Sequence, residues 1–319
     1  MTDPRDNYDI QKRAILVKVS TTMLGIVRKD VEATDTAAHT HNADVNQVRV
    51  VKNLLNPKSP VWLKIRKIRG KIRNFHRDNT GPWQDEGFRV ITTKRYSNWR
   101  ETLEALTADF DAAVDDLVTA YDDLKREAQI NLGNLYDAAL YPEGDKIRQA
   151  FSVVMETEVI PSRGSVILDL DKARTDKLVA DATAADQRRV KKLAEYTHQI
   201  VRKELEGMLV ALKEFGDDNP EAKTKRTRTF RDSLVKRMAA LADTLPGLNV
   251  TGDLRLDKLA QEIAGKLTIV SAAELRGNKT KGDNRTDAMR EADAATKRDE
   301  VQANTQEILD DLDSLFAAD

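Results

Sequence analysis

Leu103, Leu106, Phe110, Val114, Leu117, Tyr121, Leu124 and Ala128 are separated by steps of 3, 4, 4, 3, 4, 3 and 4 residues. That spacing puts all of them on one stripe of an α-helix and scatters them over both faces of a strand. Asn98 precedes the stripe as an N-cap, with Glu101 three residues on as its capping-box partner. Gly133 follows it as a stop. A helix over Asn98–Leu132 is predicted, roughly 52 Å long at 1.5 Å per residue.

Other segments repeat the theme. Ser59-Pro60 reads as N-cap and first helical residue, and Val61, Ile65, Ile68, Ile72 and Phe75 then step by 4, 3, 4 and 3. A second very long helix is predicted from Asp171 to Phe215, closed by Gly216. Asn219-Pro220-Glu221 opens another, with a seam of Phe230, Leu234, Met238 and Leu241, that ends at Leu245-Pro-Gly247. A further helix covers Leu254–Leu267, and short ones are predicted over Val45–Leu55 and Glu143–Ala150.

Strand signals are fewer. Ile15, Val17 and Val19 alternate with Lys18 and Ser20. Residues 151–159 and 165–170 alternate in the same way across Pro161-Ser-Arg-Gly164, which reads as a hairpin. Asp78–Tyr96 reads as a loop with a turn at Thr80-Gly-Pro82. The fold class expected is mostly α (α+β): long antiparallel helices forming an elongated bundle or coiled-coil hairpin on a small three-stranded sheet. Residues 1–276 make that helical domain. Residues 277–304, almost without large apolar side chains, are expected to be a mobile polar linker. Residues 305–319 regain an apolar face as a short docking helix.

Charge is distributed unevenly along this frame. Between Val45 and Arg77 there are ten Lys or Arg and no Asp or Glu. Between Glu101 and Asp145 there are twelve Asp or Glu against Lys125 and Arg126. The whole protein is near neutral, with a formal net charge of −1. Two readings follow. Lys64, Arg66, Lys67, Arg69, Lys71, Arg73 and Arg77 can face a polyanion, with Trp62 and Trp83 stacking on single-stranded bases. Alternatively the basic helix lies against the acidic one and is neutralised inside the fold, each exposed pair contributing about 0–1 kcal/mol.

Catalytic signals are thin. There is no Cys, which excludes disulfides, thiolate nucleophiles and cysteine zinc sites. No phosphate-binding glycine loop, dinucleotide fingerprint or metalloprotease helix occurs. Glu156, Glu158, Asp169 and Asp171 would share the polar face of the hairpin, which suits either a hard cation or a solvated sheet surface. His39, His41 and Asp44 lack a third ligand at helical spacing, and His198 has no nucleophile near it in sequence. No catalytic residue, metal or cofactor is therefore expected. No apolar run approaches the roughly 20 residues of a membrane span, and no leader-peptide pattern is present at the start. A charged fraction of 33% with 5% aromatics and a mean hydropathy of −0.56 fits long amphipathic helices.

In the tail, Ile308, Leu312, Leu315 and Phe316 form one apolar face beside Asp310, Asp311 and Asp313. Such a helix docks in a partner's groove or caps its own bundle. A basic rim at Lys225–Arg237 is the expected groove if the partner is this chain.

The run Thr80-Gly-Pro-Trp-Gln-Asp-Glu-Gly-Phe-Arg-Val-Ile91, the long helix after it, Leu132-Gly-Asn-Leu-Tyr-Asp137, Tyr141-Pro142 and the hairpin resemble an uncharacterised phage and prophage family of mostly helical proteins. The resemblance implies an association with genes for MoxR-like AAA+ ATPases and von Willebrand A-type partners. The resemblance covers roughly residues 10–260 and carries no catalytic motif. It implies a phage protein in a bacterial cytoplasm, acting without catalysis as a scaffold or adaptor. A homo-oligomer and an AAA+ ATPase partner are the expected associations. Nucleic-acid binding, single-stranded DNA in particular, is the alternative read from the residues themselves.

Overall fold

The computed structural model describes residues 10, 12–83, 87–160, 172–216, 230–279 and 283–317. Their elements run β1 (Ala14–Thr22), β2 (Val27–Lys29), α1 (Val31–Thr40), β3 (Val51–Asn53), α2 (Pro60–Asp78), β4 (Gly81–Pro82) and β5 (Arg89–Thr92). Then come α3 (Thr93–Leu132), two 3₁₀ turns, α4 (Gly144–Gln149), β6 (Ser152–Val159) and α5 (Lys172–Gly216). The chain closes with α6 (Asp232–Leu248), α7 (Leu254–Glu262), a π-helical turn (Ile263–Leu267), α8 (Ala272–Leu275) and α9 (Asp287–Ala317). The fold is mostly α with a small antiparallel sheet.

The chain divides into two compact units. One holds residues 1–17, 78–96 and 157–319, and the other holds 18–77 and 97–156. β1, α2, α3 and β6 contribute residues to both.

The sheet differs from the expected three strands. Among the described residues its order is β4–β5–β1–β6. Ala14 pairs with Thr92 and Leu16 with Val90, antiparallel. β4 and β5 arise in the segment expected to be a loop, because turn residues and a Trp mask a strand of only four residues. The expected strand at 165–170 lies outside the described residues. β1, paired on both edges, buries Ala14 and Leu16 as well as Val17, so residues of both faces are buried at its start. Gly81 has a steric role: a Cβ there would run into the Leu193 side chain of α5. Leu193 joins Ile10, Ala14, Leu16, Trp83, Phe88 and Val90 in one apolar cluster.

The larger unit also contains a helical bundle. Val201, Leu205, Met208 and Leu212 of α5 meet Leu234, Met238 and Leu241 of α6, Leu259 of α7 and Val301, Ile308 and Leu312 of α9. α9 is a 31-residue helix, so the expected linker at 277–304 is largely helical. Its apolar positions are small or few, but Arg290, Ala294, Arg298 and Val301 are buried along it. The aliphatic stems of arginine supply the seam that large apolar residues would supply elsewhere.

In the second unit α3 is the spine. It is 40 residues long and begins at Thr93, directly after β5, not at Asn98. Asn98 is inside the helix, where its carbonyl accepts from Thr102 Oγ1 at 2.8 Å. Gly133, at φ +51°, takes the left-handed conformation just past its end. Two further expectations change here. Residues 31–40 form a helix capped by Asp30, whose side chain accepts from the Ala33 amide. Residues 51–53 form a strand paired to β2, where a helix over Val45–Leu55 was expected. The β-branched Val48, Val50 and Val51 favour the ribbon.

Candidate nucleic-acid interface

α2 is built by its seam. Ser59 Oγ accepts from the Trp62 amide at 3.4 Å, and Pro60 is the first helical residue. Trp62, Ile65, Ile68, Ile72 and His76 are buried. The Trp62 ring stands edge-on to Phe151 at 6.3 Å, and Phe110 of α3 meets Phe151 at 6.4 Å. Near the other end His76 lies 5.7 Å from Trp99 of α3. With Lys64 beside Asp116, these contacts run α2 antiparallel to α3.

The expected single-strand stacking platform is absent from this surface. Trp62 is 4% exposed and Trp83 6% exposed, each within an apolar cluster or aromatic contact. Trp62 occupies the seam because it precedes Ile65 by three residues, a spacing as good as that of Val61.

The cations are on the remaining faces. Lys64, Arg66, Lys67, Arg69, Lys71, Arg73 and Arg77 are all exposed. Lys64 Nζ meets Asp116 Oδ2 at 2.6 Å, and Arg69 Nε donates to Thr21 Oγ1 at 3.1 Å. Arg66, Lys67, Lys71 and Arg73 have no hydrogen-bond or ion-pair partner among the described residues. Lys64 with Asp116 is an exposed pair between α2 and α3. Lys52, by contrast, is taken up inside the fold: it lies 2.8 Å from Asp30 with both side chains nearly buried, and donates to the Leu135 carbonyl. That ammonium holds the Asp30 carboxyl below its usual range.

The acids of α3 go elsewhere or stay in solvent. Asp115 pairs with Arg148 of α4 at 2.5 Å, Asp123 pairs with Arg126, and Glu127 accepts from Asn56 at 2.8 Å. Tyr121 has a buried hydroxyl without a hydrogen-bond partner among the described residues. Burial, with Tyr141 and Tyr136 nearby, pushes its pKa up to about 12, so it stays protonated at neutral pH.

The other candidate residues separate. Glu156 meets Lys18 at 3.2 Å, Glu158 is exposed, and Asp169 and Asp171 lie outside the described residues. His39 is in the last turn of α1. No group of three potential metal ligands occurs among the described residues. His198 Nε2 and Arg202 both contact Asp313 Oδ1, at 3.2 and 2.7 Å, tying α5 to α9. Ile308, Leu312 and Leu315 are buried within their own chain, on the C-terminal part of α9. The Phe316 side chain and the basic residues 225–228 lie outside the described residues. Gly70, half-exposed at the middle of α2, has Arg66, Lys67, Lys71 and Arg73 around it, a position the charge run alone did not single out. No helix among the described residues is long and apolar enough to cross a membrane. Comparison with protein-family models, curated proteins and solved structures found no match.

Proposed function

We propose that this protein binds nucleic acid without catalysis, through the phosphate backbone, using the outward face of α2. One observation carries the reading: Arg66, Lys67, Lys71 and Arg73 are exposed and unpaired while an acidic helix packs beside them. Like charges three or four apart on a helix cost about 0.2–0.5 kcal/mol per pair. Lys67 with Lys71, and Arg69 with Arg73, are such pairs, and α2 has no acid in its first turn to offset them. A polyanion removes that cost. α2 is 19 residues long, roughly 28 Å, which matches about eight base pairs of duplex. Buried tryptophans favour a double-stranded backbone over the stacked single strand.

The test is a salt-titrated affinity measurement on short duplex DNA. Reversing Lys67 and Lys71 together to Glu lowers affinity about a hundredfold and flattens the salt slope by roughly 0.9 per lost phosphate contact. Equal affinity for the reversed variant at low salt removes the reading.

Self-assembly as a scaffold is the second reading, in line with the phage resemblance, its host cytoplasm and an AAA+ partner. It is favoured by the exposed acids of α3, Asp109 and Asp122, which leave an acidic face on the unit that carries the basic one. Salt-sensitive oligomers in the absence of DNA would support it. The apolar seams lend it less, because they close within the chain.

A further inference from the structure

Gly70 is at the middle of α2, and a Cβ built on it meets nothing within 4 Å. No packing in the fold therefore requires a glycine. Glycine inside a helix is destabilising relative to alanine, because its unfolded backbone is freer. The position is also on the face turned away from the seam. At 3.6 residues per turn, Leu63, Lys67, Gly70 and Asn74 form a row opposite Ile65, Ile68 and Ile72. Leu63, Lys67 and Asn74 are exposed in that row. Arg66 and Arg73 border Gly70 on one side, and Lys67 and Lys71 on the other.

Resting on the nucleic-acid reading above, we infer that Gly70 is the floor of a notch that seats one sugar–phosphate strand of a duplex against the backbone of α2. The missing side chain lets the strand approach the helix axis closely. Guanidinium forks on one wall and ammonium groups on the other then reach its phosphate oxygens from both sides. The occupant is a phosphodiester strand because the four side chains that border Gly70 are all cations, and Leu63, two turns away in the same row, is the one exposed apolar side chain of that row. Duplex is the form that fits, since a ridge of fixed shape gains from a preformed notch, and no aromatic platform is exposed here for unstacked bases.

The experiment compares Gly70→Ala and Gly70→Leu with the unaltered full-length protein, using thermal unfolding and anisotropy of a labelled short duplex. Alanine raises the melting temperature, because it favours the helix, yet weakens binding about threefold. Leucine weakens it about tenfold or more while the protein stays folded, by filling the notch. The inference is overturned if both variants are at least as stable as the parent and bind the duplex equally well. Lys67→Glu with Lys71→Glu is measured beside them. If that variant loses binding while the Gly70 variants keep it, the notch is wrong and the interface stands. If it binds as the parent does, the interface itself is wrong, and the notch falls with it.

Discussion

Two stretches of this chain are dense in cations and treat them in opposite ways. In α2 four of seven basic side chains reach solvent with no partner among the described residues. Between residues 285 and 298 every Arg and Lys is held. Arg285 joins Asp283 and Asp293 at 2.9 and 2.8 Å, and Arg290 joins Asp287. Lys297 meets Glu274 at 3.0 Å, and Arg298 donates to the Leu275 carbonyl at 2.8 Å and meets Glu291 at 2.6 Å. The difference lies in the local sequence. Acids are interleaved at helical spacing in the second stretch and absent from residues 45–77. Where partners are adjacent, the cation becomes part of the fold; where they are excluded, it remains available.

The largest effect that can break this contrast belongs to α9. Its cations count as structural only if the helix that carries them is part of the core. Leu312 is fully buried among α5, α6 and α7 residues. Leu312→Ala should cost about 2–5 kcal/mol, the range for a buried leucine whose cavity only partly collapses. Chemical denaturation measures it. A loss under about 1 kcal/mol would mean that α9 is not anchored, and its Arg and Lys would then belong with those of α2.

Much of this was legible in the chain. The seams of α2 and α3 were readable because their 3-and-4 spacing is long and uninterrupted. α5 was bounded within a residue or so by the residues before Gly216. What escaped has physical causes. α9 escaped because its seam is made of arginine stems, alanine and threonine, which hydropathy counts as surface. β5 escaped because four residues give too little alternation to see. Start signals misled at Asn98, since a strand running straight into a helix needs no cap there. At the candidate site the charge run was plain, but the burial of Trp62 and Trp83 was not. Either aromatic could have lain on the open face, and only packing against Phe151 and Phe88 decides it.

An effect of middle size sharpens the same comparison through pH. Glu274 accepts from the Ser271 amide and hydroxyl, in a capping box on α8, and from Lys297. These donors hold its pKa down to about 2 from an ordinary 4.5. An unfolded chain takes up that proton near pH 4.5, while the folded one resists it until about 2. The stability contributed is complete above 4.5 and is lost as pH falls through that window. Asp283, held down to about 2 by Arg285, adds to the same slope. Glu274→Gln should flatten the acid limb of a melting-temperature profile and cost about 1 kcal/mol or less at neutral pH, since Gln can still close the capping box and only the charge facing Lys297 is lost. The free cations of α2 have no carboxylate to lose, so neutralising Lys67 as Gln should leave the acid limb unchanged. An acid limb unaltered by Glu274→Gln would show that this network is not what ties the second stretch to the fold.

The smallest effect tests the one place where the two behaviours meet. Lys64 and Asp116 are 2.6 Å apart, yet their side chains are 53% and 51% exposed. A pair so placed contributes about 0–1 kcal/mol, because solvent screens it and two long side chains lose freedom to form it. Asp116→Asn should therefore change the melting temperature very little. It should, however, release Lys64 to the basic face and remove a carboxylate that repels phosphate. Duplex affinity should rise modestly, and the salt slope should steepen by up to about 0.9, one phosphate contact's worth. Isothermal titration across a salt series, beside thermal unfolding, reads both quantities. A large loss of stability without any gain in affinity would reassign α2 to internal neutralisation, and Lys64 would then resemble Lys297 more than Lys67.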